Sequence, residues 1–107
     1  MGYDLRITRA VDWDRNEGCE ITIREWYAII DSDTELYRDP ANGPCAVRYG
    51  KNGWFDWFEG NVFTTDPEPV DVTKMLVIAA RLTATVQGDD GEFYDSANDW
   101  RQSSKRG

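Results

Sequence analysis

The chain has 107 residues, of which 40% are hydrophobic, 13% aromatic and 30% charged. This composition excludes a disordered chain, and no apolar run approaches the roughly 20 residues that a membrane helix needs. An excess of 20 Asp and Glu over 12 Lys and Arg gives a net charge of −8, which argues against nucleic acid and anionic membrane surfaces as partners.

The first predicted elements are a strand, a loop and a helix. Apolar and polar residues alternate over residues 3–9, a pattern typical of a half-buried strand. A polar loop that carries Trp13 follows at residues 11–18. Thr22 and Glu25 then have the spacing of a capping box, which predicts that a helix begins here. Its apolar stripe consists of Ile23, Trp26, Tyr27 and Ile30.

The middle of the chain predicts a three-stranded antiparallel meander. Its strands cover residues 45–49, 54–58 and 61–64. The pair Asn52 and Gly53 is typical of the tight turn in a β-hairpin, and residues 59–61 form the second turn.

The last third of the chain predicts a second helix and a hairpin. Asp66 is the expected N-cap, Pro67 is the expected first helical residue, and the helix continues to Leu82. Strands at residues 84–87 and 92–94 follow. The order of elements predicts an α+β fold, in which a mainly antiparallel sheet of about five to six strands has two helices packed on one face. Residues 1–100 are expected to form a single α+β domain, and residues 101–107 a disordered polar tail.

The strand at residues 54–58 carries large aromatic side chains on both of its faces. Trp54, Asp56 and Phe58 point one way, and Phe55 and Trp57 point the other way. One face can enter the helix-covered core. The other face is either covered, for instance by the loop at residues 11–18, or exposed as a contact surface beside acidic residues.

Acidic residues are concentrated in a few segments. Residues 88–92 form the densest cluster, which is interpreted either as a solvated turn or as a partner contact, a cation site or an acid/base pair. The run of Asp31, Asp33 and Glu35 after the first helix is expected to be solvated surface. The candidate partner-binding residues are Trp54, Asp56, Trp57, Glu59, Asp89, Asp90 and Glu92.

No residue pattern predicts catalysis, a metal site or a cofactor. The chain has no His, which excludes His-based triads and imidazole metal ligands. Cys19 and Cys45 cannot form a zinc site by themselves. Because the start of the chain shows no signal peptide, both are expected to be reduced cytoplasmic thiols, with a disulfide between them as the less favoured alternative.

Four segments of the chain, YDLRITR, CEITIREW, WFDWFEGNVFT and KMLVIAARLTATVQGDDGEFY, carry a resemblance to known proteins. Together they resemble a group of short, acidic bacterial proteins of no defined family, which look like immunity proteins of polymorphic toxin systems. These segments are packing and turn motifs, so the resemblance assigns no functional residue. It implies a bacterial origin, a cytoplasmic location and, as an expectation, the role of an immunity protein.

The expected function is that of a non-catalytic acidic binding protein. As an immunity protein, it would occlude the active site of a cognate toxin, a basic protein partner, with carboxylates facing Lys and Arg of the toxin and with Trp and Phe as anchors. Two alternatives stay open. One is a homodimeric structural or accessory protein that uses the aromatic strand as its interface. The other is a small carboxylate-based hydrolase, whose candidate residues are Asp56, Asp89, Asp90 and Glu92.

Overall fold

The computed structural model describes residues 2–96, so the predicted tail at residues 101–107 lies outside the described residues. Seven strands are present within the described range. They are β1 (Asp4–Thr8), β2 (Leu36–Arg38), β3 (Val47–Tyr49), β4 (Gly53–Phe58), β5 (Asn61–Thr65), β6 (Thr85–Gln87) and β7 (Phe93–Tyr94). The two helices are α1 (Ile23–Ser32) and α2 (Pro69–Arg81), and a short 3-10 turn at Pro40–Asn42 follows β2.

The strands of the described chain join one antiparallel sheet in the order β2-β3-β4-β5-β1-β6-β7. Both helices pack on the same face of this sheet, which confirms the predicted α+β fold. The sheet has one strand more than the predicted five to six, because β2 was not foreseen. β2 is three residues long and has no alternating pattern of its own, and its pairing with β3, with Leu36 opposite Tyr49, makes it a strand.

The hydrophobic core lies between the sheet and the two helices. Its largest fully buried side chains include Trp26 of α1, Phe55 of β4 and Met75 of α2. The indole Nε1 of Trp26 donates a hydrogen bond of 2.8 Å to the backbone oxygen of Cys45, which attaches α1 to the segment before β3. Cys45 is buried, Cys19 is exposed, and both are free thiols, as predicted.

Helix α1 begins with the predicted capping box. The hydroxyl of Thr22 accepts a hydrogen bond from the N–H of Glu25 at 3.1 Å, and the carboxylate of Glu25 accepts one from the N–H of Thr22 at 2.9 Å. The same carboxylate binds the guanidinium of Arg9, with 2.8 Å between Nη1 and Oε1. The Arg9 guanidinium and the Thr22 N–H lower the pKa of Glu25 to about 2. These contacts join the loop after β1 to the start of α1.

Helix α2 begins later than the sequence pattern predicts. Its first residue is Pro69 and its N-cap is Glu68, so the predicted start at Asp66 and Pro67 is wrong. Proline disfavours the α conformation of the residue before it. Pro69 therefore keeps Glu68 extended and outside the helix. Asp66 instead has a positive φ of 48° and accepts a hydrogen bond of 2.8 Å from the N–H of Tyr3, beside the start of β1.

The turns on either side of β4 determine where its side chains lie. Glu59 and Gly60 both have positive φ and form the two-residue turn between β4 and β5. The turn between β3 and β4 is not the predicted Asn-Gly turn, because Gly53 already belongs to β4 and pairs with Tyr49. A side chain does not fit at Gly53, where a Cβ would lie 2.4 Å from Oδ1 of Asp71 and 2.7 Å from the carbonyl of Tyr49.

A cluster of ion pairs joins the C-terminal end of α1 to α2. The ammonium of Lys74 lies 2.7 Å from the carboxylate of Asp33 and 2.6 Å from that of Glu35. Lys74 is 7% exposed and Asp33 is 10% exposed, so Asp33 is not the solvated residue that the sequence predicts. Burial opposes the charged form of both groups. Even so, Lys74 and the N–H of Glu35 lower the pKa of Asp33, and the two carboxylates raise the pKa of Lys74.

Candidate interaction surface

The face of the sheet opposite the helices is the candidate functional surface. Because side chains alternate along a strand, Arg6, Trp54, Asp56, Phe58 and Phe63 project from this face, while their neighbours in sequence enter the core. Asp56 stands directly opposite Phe63, and Phe63 stands opposite Arg6 on its other side. These residues form a row across the middle of the sheet.

The loop after β1, residues 9–22, which we call the covering loop, covers part of this face, over β1 and β6. The guanidinium of Arg6 and the ring of Trp13 form a cation–π contact, with 3.4 Å between Cζ of Arg6 and the centroid of the ring. The buried side chain of Gln87 accepts a hydrogen bond of 3.1 Å from the N–H of Trp13 and donates bonds of 3.0 Å to the carbonyls of Ala10 and Val11. The loop is thereby held against β1 and β6, and it leaves β4 uncovered.

The uncovered part, which we call the open face, comprises Tyr37, Arg48, Trp54, Asp56, Phe58 and Phe63. Several of its aromatic side chains are exposed: Tyr37 by 65%, Phe58 by 62% and Trp54 by 37%. Trp54 packs edge-on against Phe63, with ring centroids 5.6 Å apart. Of the two alternatives that the sequence left for the outer face of β4, the structure shows the exposed one.

Trp57, a predicted contact residue, lies on the other face of β4. It is partly buried against the core, and its Nε1 donates a hydrogen bond of 2.8 Å to the backbone oxygen of Ile21. Phe55, on the same face of β4, is fully buried. Trp57 therefore attaches the sheet to the segment before α1 and is not part of the open face.

Asp56 lies in a cleft of about 450 Å³ on the open face, which we call the aromatic cleft. Trp54 and Phe63 form one wall, and Arg48 is also part of the lining. Oδ1 of Asp56 accepts a hydrogen bond of 2.8 Å from the N–H of Trp57. Within residues 2–96, no Lys or Arg forms an ion pair with Asp56. The predicted residues Trp54 and Asp56 are thus brought together.

Glu59 lies in the turn after β4 and is exposed. Its backbone carbonyl accepts a hydrogen bond of 2.8 Å from the side chain of Asn16 in the covering loop. Glu59 lines a second cleft of about 340 Å³ together with Phe58 and Phe63. Because Phe63 lines both clefts, Glu59 adjoins the open face.

The predicted contact residues after β6 differ in their contacts within the chain. Asp89 pairs with Arg6 at 2.8 Å. Glu92 accepts a hydrogen bond from the hydroxyl of Tyr3, and burial together with this bond raises the pKa of Tyr3. Asp90 is exposed. A partner can therefore contact Asp90 without breaking one of these internal contacts, whereas Asp89 and Glu92 hold the C-terminal hairpin to β1.

An acidic cleft of about 310 Å³ lies between the covering loop and the turn after β6. Its charged residues are Asp12, Asp14, Asp89, Asp90 and Arg15. Within residues 2–96, no group of His, Cys, Asp and Glu side chains is arranged to hold a metal ion. Asp56 lines the aromatic cleft instead, so the carboxylates named for a hydrolase do not share one pocket.

Tyr37, Arg48 and Phe63 also belong to the surface, although the sequence analysis does not predict them as contact residues. The alternation of residues 61–65 could have revealed Phe63, since Val62 and Thr64 are buried on the other face. Tyr37 and Arg48 carry no such signal, because their orientation depends on the pairing of β2 with β3.

Comparisons of the chain with protein-family models, with curated proteins and with solved structures found no match. Neither helix of the described residues has the length and the apolar character that crossing a membrane requires. The case for a function therefore depends on the open face and the acidic cleft.

Proposed function

We propose that the chain is a non-catalytic acidic binding protein of the bacterial cytoplasm, an immunity protein that neutralises a cognate basic toxin by covering its active site. The observation that carries this proposal is the open face, where exposed Trp54 and Phe58 lie on either side of Asp56 in one strand. Aromatic side chains grouped on one exposed surface are typical anchors of protein interfaces.

The charge of the chain defines the chemistry of the partner. The net charge is −8. The acidic cleft adjoins the open face through Asp14, which also lines the second cleft together with Phe58 and Phe63. A toxin that acts on an anionic substrate, such as a nucleic acid or a nucleotide, surrounds that substrate with Lys and Arg. An acidic protein with aromatic anchors can cover such a site, and long-range attraction accelerates its association by orders of magnitude at low salt.

The molecule has enough surface for this role. Its accessible surface is 6520 Å², and a standard interface takes about 800 Å² from each partner. The contact would need roughly an eighth of the surface. The open face and the adjoining acidic cleft can supply this area on one side of the sheet.

Affinity capture followed by an inhibition assay tests the proposal. Tagged protein captures partners from its native bacterium at about 150 mM and about 500 mM salt, and the toxicity of the captured protein is then measured with and without this chain. We expect a basic protein that is captured less at high salt and loses its toxic activity at about one equivalent. Capture of no basic protein, or a captured protein whose activity is unaffected, would contradict the proposal.

A matched pair of charge reversals locates the surface. Asp90→Lys and Asp31→Lys change the net charge equally, but Asp90 lines the acidic cleft and Asp31 lies in the last turn of α1, on the helix side of the sheet. We expect Asp90→Lys to slow association with the toxin about tenfold at low salt, and Asp31→Lys to slow it much less. Equal effects of the two changes would contradict this placement of the interface.

The second candidate function is a homodimeric structural or accessory protein. It is favoured by the exposure of Tyr37 in β2 and of Trp54 and Phe58 in β4, on one face of the sheet that a second copy could cover. Sedimentation over a range of protein concentrations separates the two candidates. A dimer that Trp54→Ala dissociates, without any captured basic protein, would favour the homodimer. A monomer at all concentrations would exclude it.

A further inference from the structure

Asp56 lies among aromatic rings at the centre of the open face. It projects from β4 between Trp54 and Phe58 and stands directly opposite Phe63 in β5. The rings of Trp54 and Phe63 meet at 87° with their centroids 5.6 Å apart. Directly opposed residues in a sheet have Cβ atoms about 5 Å apart. A group that contacts these rings is therefore within reach of the Asp56 carboxylate.

The bonding capacity of Asp56 is only partly used within residues 2–96. Oδ1 accepts the hydrogen bond from the N–H of Trp57, and Oδ2 accepts none from the described residues. Two neighbouring carboxylates on the same face are already paired, because Arg6 lies 2.8 Å from Asp89 and 3.3 Å from Asp4. Asp56 is thus a half-buried carboxylate in a cleft, and no Lys or Arg of the described residues forms an ion pair with it.

We infer that the aromatic cleft receives an arginine side chain of the partner, whose guanidinium pairs with Asp56 and stacks on Trp54. This inference rests on the proposed function and adds which side chain the interface is built around. A guanidinium is planar, can bind a carboxylate through two parallel N–H···O bonds, and stacks on aromatic rings. An ammonium is a strongly hydrated point charge without a flat face, so the cleft favours arginine over lysine.

The cations in the lining of the cleft make the inference easy to test. Arg48 and Lys51 line the cleft, and neither forms an ion pair within residues 2–96. If the cleft bound an anion, these two side chains would hold it, and Arg48→Gln would weaken the binding of that anion. If the cleft binds a guanidinium, the positive charge of Arg48 repels it. Arg48→Gln would then leave the binding of an arginine side chain unchanged or strengthen it.

An NMR titration of the full chain with short peptides tests the inference. The probes are N-acetylated and C-amidated tripeptides with arginine, lysine or glutamate between two glycines. The reporter is the indole N–H signal of Trp54, assigned by its loss in Trp54→Phe. We expect the arginine peptide to bind with a millimolar dissociation constant and the lysine peptide to bind about fivefold more weakly. The glutamate peptide should not shift the signal.

Two amide substitutions serve as test and control. Asp56→Asn keeps an oxygen that can accept the hydrogen bond from Trp57, so the strand is expected to fold, and it should weaken binding of the arginine peptide about tenfold. Asp39→Asn removes the same charge from the same cleft, but Asp39 follows β2, which β3 separates from Trp54 in β4, so this change should weaken binding much less. No shift with the arginine peptide, equal effects of the two substitutions, or a shift with the glutamate peptide would overturn the inference.

A failure of this inference can be told apart from a failure of the proposed function. If a toxin is captured and inhibited but Asp56→Asn leaves its affinity unchanged, the partner uses another part of the surface and this inference is wrong. If the arginine peptide binds at Trp54 but no basic protein is captured, the proposed function is wrong and the guanidinium site stands.

Discussion

Lys74→Met removes the ammonium that Asp33 and Glu35 share and leaves Asp33 buried with fewer partners. Asp33 is 10% exposed and Glu35 is 64% exposed, so Glu35 can turn to solvent and Asp33 cannot. Asp33 keeps the N–H of Glu35 at 2.9 Å and the guanidinium of Arg81 at 3.8 Å. We expect the free energy of unfolding to fall by about 3 kcal/mol at neutral pH, the low end of the loss when a buried ion pair is broken.

The part of this loss that comes from burying an unpaired charge has an upper bound that depends on pH. The variant can keep Asp33 buried by protonating it, and from an ordinary pKa of 3.8 this costs about 4 kcal/mol at neutral pH. The cost falls by about 1.4 kcal/mol for each unit of lower pH, so the bound is about 2 kcal/mol at about pH 5. In the native chain, the lowered pKa of Asp33 means that its ionised form stabilises the fold at pH values above 3.8. This contribution is lost as the pH falls below that value. The deficit of the variant should therefore shrink in acid.

Urea denaturation followed by tryptophan fluorescence measures the loss, with the pair of Arg38 and Asp31 as the matched control. The atoms of the control pair are 2.8 Å apart, close to the 2.7 Å between Lys74 and Asp33, but its side chains are 46% and 68% exposed. Arg38→Met is expected to cost less than about 1 kcal/mol. An equally small loss for Lys74→Met, or a deficit that does not change with pH, would show that the burial of Asp33 does not set the size of the loss.

Other contacts of the fold lead to further predictions. Glu25→Gln should cost about 1 kcal/mol at neutral pH. The pKa of Glu25 is lowered from 4.5 to about 2, so its contribution to stability is lost as the pH falls through this range. In urea denaturation at several pH values, Glu25→Gln should therefore lose less stability in acid than the native chain does. An equal loss in the two proteins would contradict this. Trp26→Phe should cost about 2 to 3 kcal/mol, since it leaves a void and an unpaired Cys45 carbonyl; a thermal midpoint equal to that of the native chain would contradict this. Gly53→Ala should cost about 1 to 3 kcal/mol in urea denaturation, because the added Cβ would lie 2.4 Å from Asp71; native stability would show that the strand shifts without strain.

Most of the fold could be predicted from short-range patterns. The capping box of Thr22 and Glu25 and the alternation in the strands depend on residues that are close in sequence, so they are legible without tertiary contacts. The start of α2 also depends on residues that are close in sequence, but Pro67 and Pro69 are both possible first residues of the helix. Asp66 before Pro67 has the composition of a cap, and the restriction that Pro69 places on Glu68 prevails.

Contacts between distant residues decide the features that the sequence pattern did not predict. Strand β2 forms because Leu36 pairs with Tyr49. Asp33 is buried because Lys74 of the other helix reaches it. Asp89, predicted as a partner contact, is paired with Arg6 of β1. None of these pairings leaves a periodic signal, because each joins segments that are separated along the chain.

At the candidate site, the negative charge and the placement of Trp54, Asp56 and Phe58 on one side of a strand follow from the order of the residues alone. Which side of that strand faces the helices depends on contacts between distant segments of the chain. Both sides carry large aromatic residues, so the free energy of burying either side is similar and periodicity cannot choose between them. The choice depends on long-range packing. The helices cover Phe55, and the hydrogen bonds of Gln87 with Ala10, Val11 and Trp13 hold the covering loop over β1 and β6.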